Sequence, residues 1–154
     1  MAAILFGIVE DGGKPMPYRS EIRAEIRVLG PHGIEDYYAH LLRLDGAGRV
    51  PATEHRAIDI HCLRLLTAGA IFVGAYVDGV MRAAAEIVPD RTARHAKAAI
   101  TVEQGFHDSG FGRMLTERVI DEARRYHLSK LRVTEQSSTT DIQIAVNCSY
   151  AANG

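Results

Sequence analysis

Apolar and polar residues alternate over residues 21–29, with Ile22, Ala24, Ile26 and Val28 on one side, and this predicts a half-buried strand. Gly30-Pro-His-Gly33 breaks it. Over residues 34–44 the apolar positions Ile34, Tyr37, Tyr38, Leu41 and Leu42 recur at helical spacing, and Asp45-Gly-Ala-Gly48 ends that helix. Thr53 is placed to cap a second helix, whose Ile58, Cys62, Leu65 and Leu66 are expected to face inward. Two apolar runs, 70–77 and 80–88, flank Asp78-Gly79, a strong hairpin signal. Residues 89–94 read as a polar loop and 95–104 as the next strand, so three antiparallel strands lead into a polar, glycine-bearing turn. A helical pattern runs from Ser109 or Gly110 to about His127. Phe111, Met114, Leu115, Val119, Ile120 and Ala123 form one face, and Arg124, Arg125 and His127 fill the last turn, as the helix dipole prefers. Residues 131–134 predict a short strand, which a right-handed crossover lays parallel to the 95–104 strand. Residues 142–148 alternate and read as a further strand, and the apolar residues 1–9 as an extra strand or packed arm before a turn-rich linker over 11–17.

Composition narrows the class. A chain of 154 residues, 47% apolar and 24% charged, is enough for a single domain with its own core. A net charge of -1 leaves no basic field for nucleic acid. The apolar start lacks a basic flank and is about half the ~18 residues a membrane span needs, so no membrane association is expected. Cys62 and Cys148 lie far apart without metal-type spacing and read as two reduced thiols of a cytoplasmic protein. No metal site is expected, since His55 and His61 are six apart with no supporting motif.

Candidate chemistry concentrates in Thr101-Val-Glu-Gln-Gly-Phe-His-Asp-Ser-Gly-Phe-Gly-Arg-Met-Leu115. Strand, tight turn and helix start together make an anion-binding device, because the first helical amides have no intrahelical acceptor and the helix dipole favours negative charge there. Gly110 and Gly112 leave the backbone open to close approach. A P-loop is excluded, because Phe111 and Gly112 stand where Lys and Ser/Thr are needed. A dinucleotide fingerprint is excluded by Leu115, three residues after Gly112. The stretch His107-Asp108-Ser109-Gly110-Phe111-Gly112, with Val102, Gln104 and Leu115 in matching positions, resembles the Q/R-x-x-G-x-G/A signature of the GNAT superfamily of acyl-CoA-dependent N-acetyltransferases, in particular its small bacterial members. His107 replaces the usual Gln or Arg, and Asp108 places a carboxylate near the expected pyrophosphate, which Arg113 is placed to offset.

The resemblance covers residues 22–134. It implies an α/β (α+β) fold: a mixed, mostly antiparallel sheet with one splayed parallel pair and flanking helices. The final strands of the superfamily would be missing. It implies acetyl-CoA as co-substrate, with pyrophosphate on the amides of His107 to Arg113 and the pantetheine arm on backbone groups of Val102 and Gln104. The acceptor would be a primary amine, of a small molecule or a protein lysine. Glu86, late in the strand after the hairpin, or a water chain, is the implied base; the alternatives for Glu86 are a solvent-facing strand residue or an ion pair with Arg82. Lys97 stands where many members carry a Glu, Glu103 is expected to be solvent-exposed, Tyr37 and Tyr38 to serve packing, and His40 to lie on the surface. Asn147 and Tyr150 are too close together for the superfamily's usual pair. The short ending leaves the edge of the 131–134 strand open unless the tail or a second subunit pairs with it, and a homodimer is expected on that ground. The rival reading is a truncated or degenerate relative that binds CoA or self-associates without turnover.

Overall fold

The computed structural model describes residues 22–44, 52–90, 92–135 and 138–144. The expectations for residues 1–9 and 11–17, for Asp45-Gly-Ala-Gly48 and for Asn147, Cys148 and Tyr150 lie outside them. Strand β1 (Glu25–Leu29) is followed by a 3-10 turn (Pro31–Gly33) and by helices α1 (Ile34–Arg43) and α2 (Ala52–Ala68). Then come β2 (Ile71–Val77), β3 (Val80–Asp90), β4 (His95–Val102), a second 3-10 segment (Gln104–Ser109), α3 (Phe111–Arg125), β5 (Lys130–Glu135) and β6 (Ser138–Gln143). The strands form one sheet in the order β1-β2-β3-β4-β5-β6, antiparallel throughout except for the parallel pair β4-β5. This is the mixed, mostly antiparallel sheet with one parallel pair that the resemblance implies. No helix among the described residues is long and apolar enough to cross a membrane.

Each face of the sheet has its own apolar layer. On one side α3 lays Phe111, Leu115, Val119 and Ala123 over Val73, Ala75, Ala83, Ala85, Ile87, Ala98 and Ile100. On the other, Tyr37 of α1 with Cys62 and Leu65 of α2 cover Phe72, Tyr76, Met81 and Ala84. Burial on both faces explains why β2 and β3 read as continuous apolar runs rather than alternating ones. Asp78 (φ 50°) and Gly79 (φ 77°) are both left-handed, as a two-residue hairpin turn between twisted strands requires. Beyond the turn, Arg82 is an extra residue in β3: Tyr76 pairs with Met81 and Ala75 with Ala83.

Several expectations are corrected. The strand expected over residues 21–29 is Glu25–Leu29, and Ile22 and Val28 are exposed. Helix α2 begins at Ala52, one residue before the expected cap Thr53. Leu66 is exposed, because the inward face of α2 follows the i, i+4, i+7 row Ile58, Cys62, Leu65. β3 continues through Asp90, so the loop before β4 is shorter than expected. A strand runs over Ser138–Gln143 and takes in the first two residues of the strand expected over 142–148, of which 145–148 lie outside the described residues. It pairs antiparallel with β5 from Lys130↔Gln143 to Glu135↔Ser138. The β5 edge thus has a partner within the chain, and β-branched Thr140 and Ile142 suit that position.

Candidate functional site

The chain leaves β4 at Val102, passes through extended Glu103 into the 3-10 segment, and enters α3 through left-handed Gly110 (φ 82°). The Ser109 hydroxyl donates to the Phe106 carbonyl at 2.5 Å and accepts from the Phe111 amide at 3.3 Å, while the Phe106 and Phe111 rings stack at 5.8 Å. The first bond of the α3 ladder runs from the Met114 amide to the Gly110 carbonyl (3.1 Å), so the amides of Phe111, Gly112 and Arg113 precede it. The first turn of α3 carries no acidic residue. A side chain at Gly105 would meet no atom within 4 Å. At Gly112 a Cβ would come within 2.1 Å of Glu135 Oε1, which places the Glu135 carboxylate against the start of α3.

The described pairing of the parallel strands ends beside this turn. β4 and β5 stay paired from His95↔Lys130 to Ile100↔Glu135, whereas β4 stays paired with β3 as far as Ala83↔Val102. Among the described residues, Thr101 and Val102 therefore run on past the last β5 rung. His107 is turned back, its Nε2–H donating to the Val102 carbonyl at 2.9 Å. Gln104 and Asp108 are exposed, and Arg113 reaches Glu117 at 3.0 Å rather than Asp108.

On the α1/α2 face, Glu86 is buried beneath the helices. Its Oε2 accepts a bond from the Tyr37 hydroxyl (2.5 Å) and lies 2.8 Å from His61 Nε2. Burial first, and then the Glu86 charge, push the ionisation of Tyr37 well above its ordinary range, so the phenol is a donor. Sequence reasoning missed His61: only the contact between α2 and β3 reveals it. Lys97 is exposed, opposite Val88 and Arg132. Glu86 and Thr101 both face α1, through Tyr37 and His40 respectively.

Glu103 and His40 are corrected outright. Glu103 is 6% exposed and His40 is fully buried. Glu103 accepts from Arg43 Nε at 2.9 Å and Arg82 Nη1 at 3.0 Å, with His40 Nδ1 at 3.4 Å. His40 Nε2 lies 2.9 Å from the Thr101 hydroxyl, and Arg43 also donates to the Met81 carbonyl. Burial lowers the His40 pKa and the Glu103 carboxylate partly opposes it, so the imidazole is held toward its neutral form. The bulge at Arg82 brings its guanidinium to Glu103 and over the Phe106 ring at 5.4 Å. A carboxylate bound by two guanidinium groups serves here as the joint between α1, β3 and the end of β4. A groove of about 470 Å³ lies at the far end of the sheet, between Ile71, Ile87, Arg94 and Tyr126, away from both clusters.

No protein-family model and no curated protein sequence matches the chain. Solved structures do. A GNAT family acetyltransferase from Brucella melitensis, in complex with acetyl-CoA, superposes with a TM-score of 0.60 at 12% identity, over 81% of this chain and 90% of that one. A ribosomal-protein-alanine N-acetyltransferase from Brucella melitensis biovar Abortus superposes with a TM-score of 0.55 at 22% identity, over 74% and 82%. The PaiA N-acetyltransferase from Thermoplasma acidophilum, in complex with coenzyme A, gives 0.55 at 14% identity, over 71% and 77%. Strand order, the single parallel pair and these superpositions agree: the chain has the fold of the GNAT acetyltransferases.

Proposed function

We propose that the protein transfers an acetyl group from acetyl-CoA to a primary amine. The observation that carries this reading is the end of the described β4–β5 pairing at Ile100↔Glu135, while β4 runs on to Val102 beside a helix start whose first amides precede the hydrogen-bond ladder. A diphosphate suits that helix start, where Gly110 and Gly112 add no side chain. The pantetheine arm suits Thr101, Val102 and the residues up to Gln104, which continue past the last β5 rung. Two of the similar structures were solved with coenzyme A or acetyl-CoA. In such a transfer the amine nitrogen attacks the thioester carbonyl directly. The chain's tasks are to align the two, accept a proton from the ammonium and polarise the carbonyl. Glu86 marks the acceptor side, as the buried carboxylate on the face covered by α1 and α2. The acceptor is a small amine or a lysine side chain.

Binding without turnover is the second reading. Two observations favour it: the Glu135 carboxylate stands against the start of α3, and the His107 ring occupies the Val102 carbonyl. Calorimetric titration with acetyl-CoA and with CoA, on wild type and Gly110→Trp, tests what both readings share. Binding in the micromolar range that is lost in the variant supports the turn as the phosphate site. A folded wild type that binds neither ligand refutes both readings. Release of CoA in the presence of a primary amine then separates the enzyme from the binder.

A further inference from the structure

Glu86 is poorly placed to act on the amine itself. It is 8% exposed, it lies beneath Tyr37, and the bonds from Tyr37 and His61 fall on the same oxygen, Oε2. The His61 side chain is 44% exposed against 11% for Glu86, so the imidazole is the part of this cluster that solvent and substrate reach. A carboxylate oxygen only accepts, so the 2.8 Å contact assigns a proton to His61 Nε2. In the neutral imidazole the lone pair then sits on Nδ1, the other ring nitrogen. Tyr37 presses on the same group from α1, with its ring centroid 6.5 Å from that of His61 and 5.0 Å from Phe72. The carboxylate fixes the tautomer, as it does for a general-base histidine, and the Tyr37 hydroxyl holds that carboxylate from α1.

We propose that His61 is the proton acceptor of the transfer, with Glu86 and Tyr37 as positioning residues behind it. The proposal rests on the acetyl-transfer reading above and moves to His61 the role of base that the resemblance implied for Glu86. The acceptor ammonium gives one proton to His61 Nδ1, directly or through one water. The freed nitrogen lone pair attacks the thioester carbonyl, the N–C bond forms and the C–S bond breaks. The second nitrogen proton neutralises the departing thiolate, and the imidazolium returns its proton to solvent.

The test uses the full chain as wild type, His61→Ala, Glu86→Gln and Tyr37→Phe. Acetyl-CoA binding is measured by calorimetry, and CoA release is followed by chromatography with a panel of primary amines and lysine-containing peptides. The expected result is a loss in kcat of about 100-fold or more in His61→Ala, with acetyl-CoA affinity kept. Exogenous imidazole restores part of that rate. Glu86→Gln lowers kcat without rescue by imidazole, and Tyr37→Phe lowers it less. Wild-type kcat in His61→Ala, with transfer lost in Glu86→Gln, overturns the proposal and makes Glu86 itself the base. Acetyl-CoA binding with no acetylated amine in the panel also overturns it, leaving the binding reading intact. Failure of wild type to bind acetyl-CoA instead fails the reading beneath it.

Discussion

Glu103→Gln probes whether the end of β4 is tied down as described. The side chain is 8% exposed, and its oxygens meet Arg43 at 2.9 Å and Arg82 at 3.0 Å, with His40 more distant at 3.4 Å. Glutamine keeps the shape but removes the charge and turns an NH2 group toward a guanidinium. A hydrogen bond between charged groups contributes about 1.5–3 kcal/mol when shielded from water. Arg43 and Arg82 are about a third exposed, 34% and 30%, and regain water when released. Discounting each bond by about half gives a loss of roughly 2 kcal/mol for the pair. In urea, with a slope of about 2 kcal/mol per molar, the midpoint falls by about 1 M. The control is Arg113→Ala, which breaks the open Arg113–Glu117 pair and should leave the midpoint almost unmoved. A double-mutant cycle with Arg43→Met reports the coupling of the two groups. A midpoint shift for Glu103→Gln no larger than the control's would mean that this carboxylate faces solvent and that the joint does not exist.

Other outcomes follow from the same geometry. Because burial lowers the His40 pKa, the unfolded chain binds the proton more readily than the fold. Its contribution is fully present above the unfolded value of about 6.5 and is lost as pH falls from there toward the folded value, a slope that His40→Gln removes from urea midpoints measured against pH. Gly110→Ala forces a Cβ into φ 82° and destabilises by about 1 kcal/mol, read by thermal unfolding as a fall of roughly 2–4 °C. Glu135→Gln removes a negative charge from the start of α3 and strengthens acetyl-CoA binding about two- to five-fold by calorimetry, while an unchanged affinity would place that carboxylate outside the phosphate path.

What the sequence discloses depends on how local the cause is. The Asp78-Gly79 hairpin, the apolar face of α3 and the strand–turn–helix at Gly110 are set by neighbours within a few residues, and all three form as read. The parallel placement of β5 follows from the handedness of crossovers and is also found. Glu103 and His40 were misread because the partners that bury them, Arg43 and Thr101, are 60 and 61 positions away. A carboxylate after an apolar strand looks solvent-facing until the bulge that turns Arg82 toward it is known. His61 carried no signal, since its meaning lies in Glu86, 25 residues on and in a different element. Leu66 shows the limit of counting apolar residues, as α2 also exposes Ile60 and Leu63.

The junction of β4 with β5 also has a meaning in time. β2, β3 and β4 follow one another as neighbours, and β5 and β6 do the same, so each group closes through short loops. Joining the two groups requires the long excursion through α3, and such non-local closure is the slow part of reaching a native topology. The turn from Gln104 to Gly110 and the first turn of α3 lie on that seam. A ligand held there would grip both halves at once, so acetyl-CoA should slow the opening of the seam and its cleavage by proteases, as any ligand that binds only the closed state must. Cofactor occupancy and survival of the folded chain would then be two measurements of a single equilibrium.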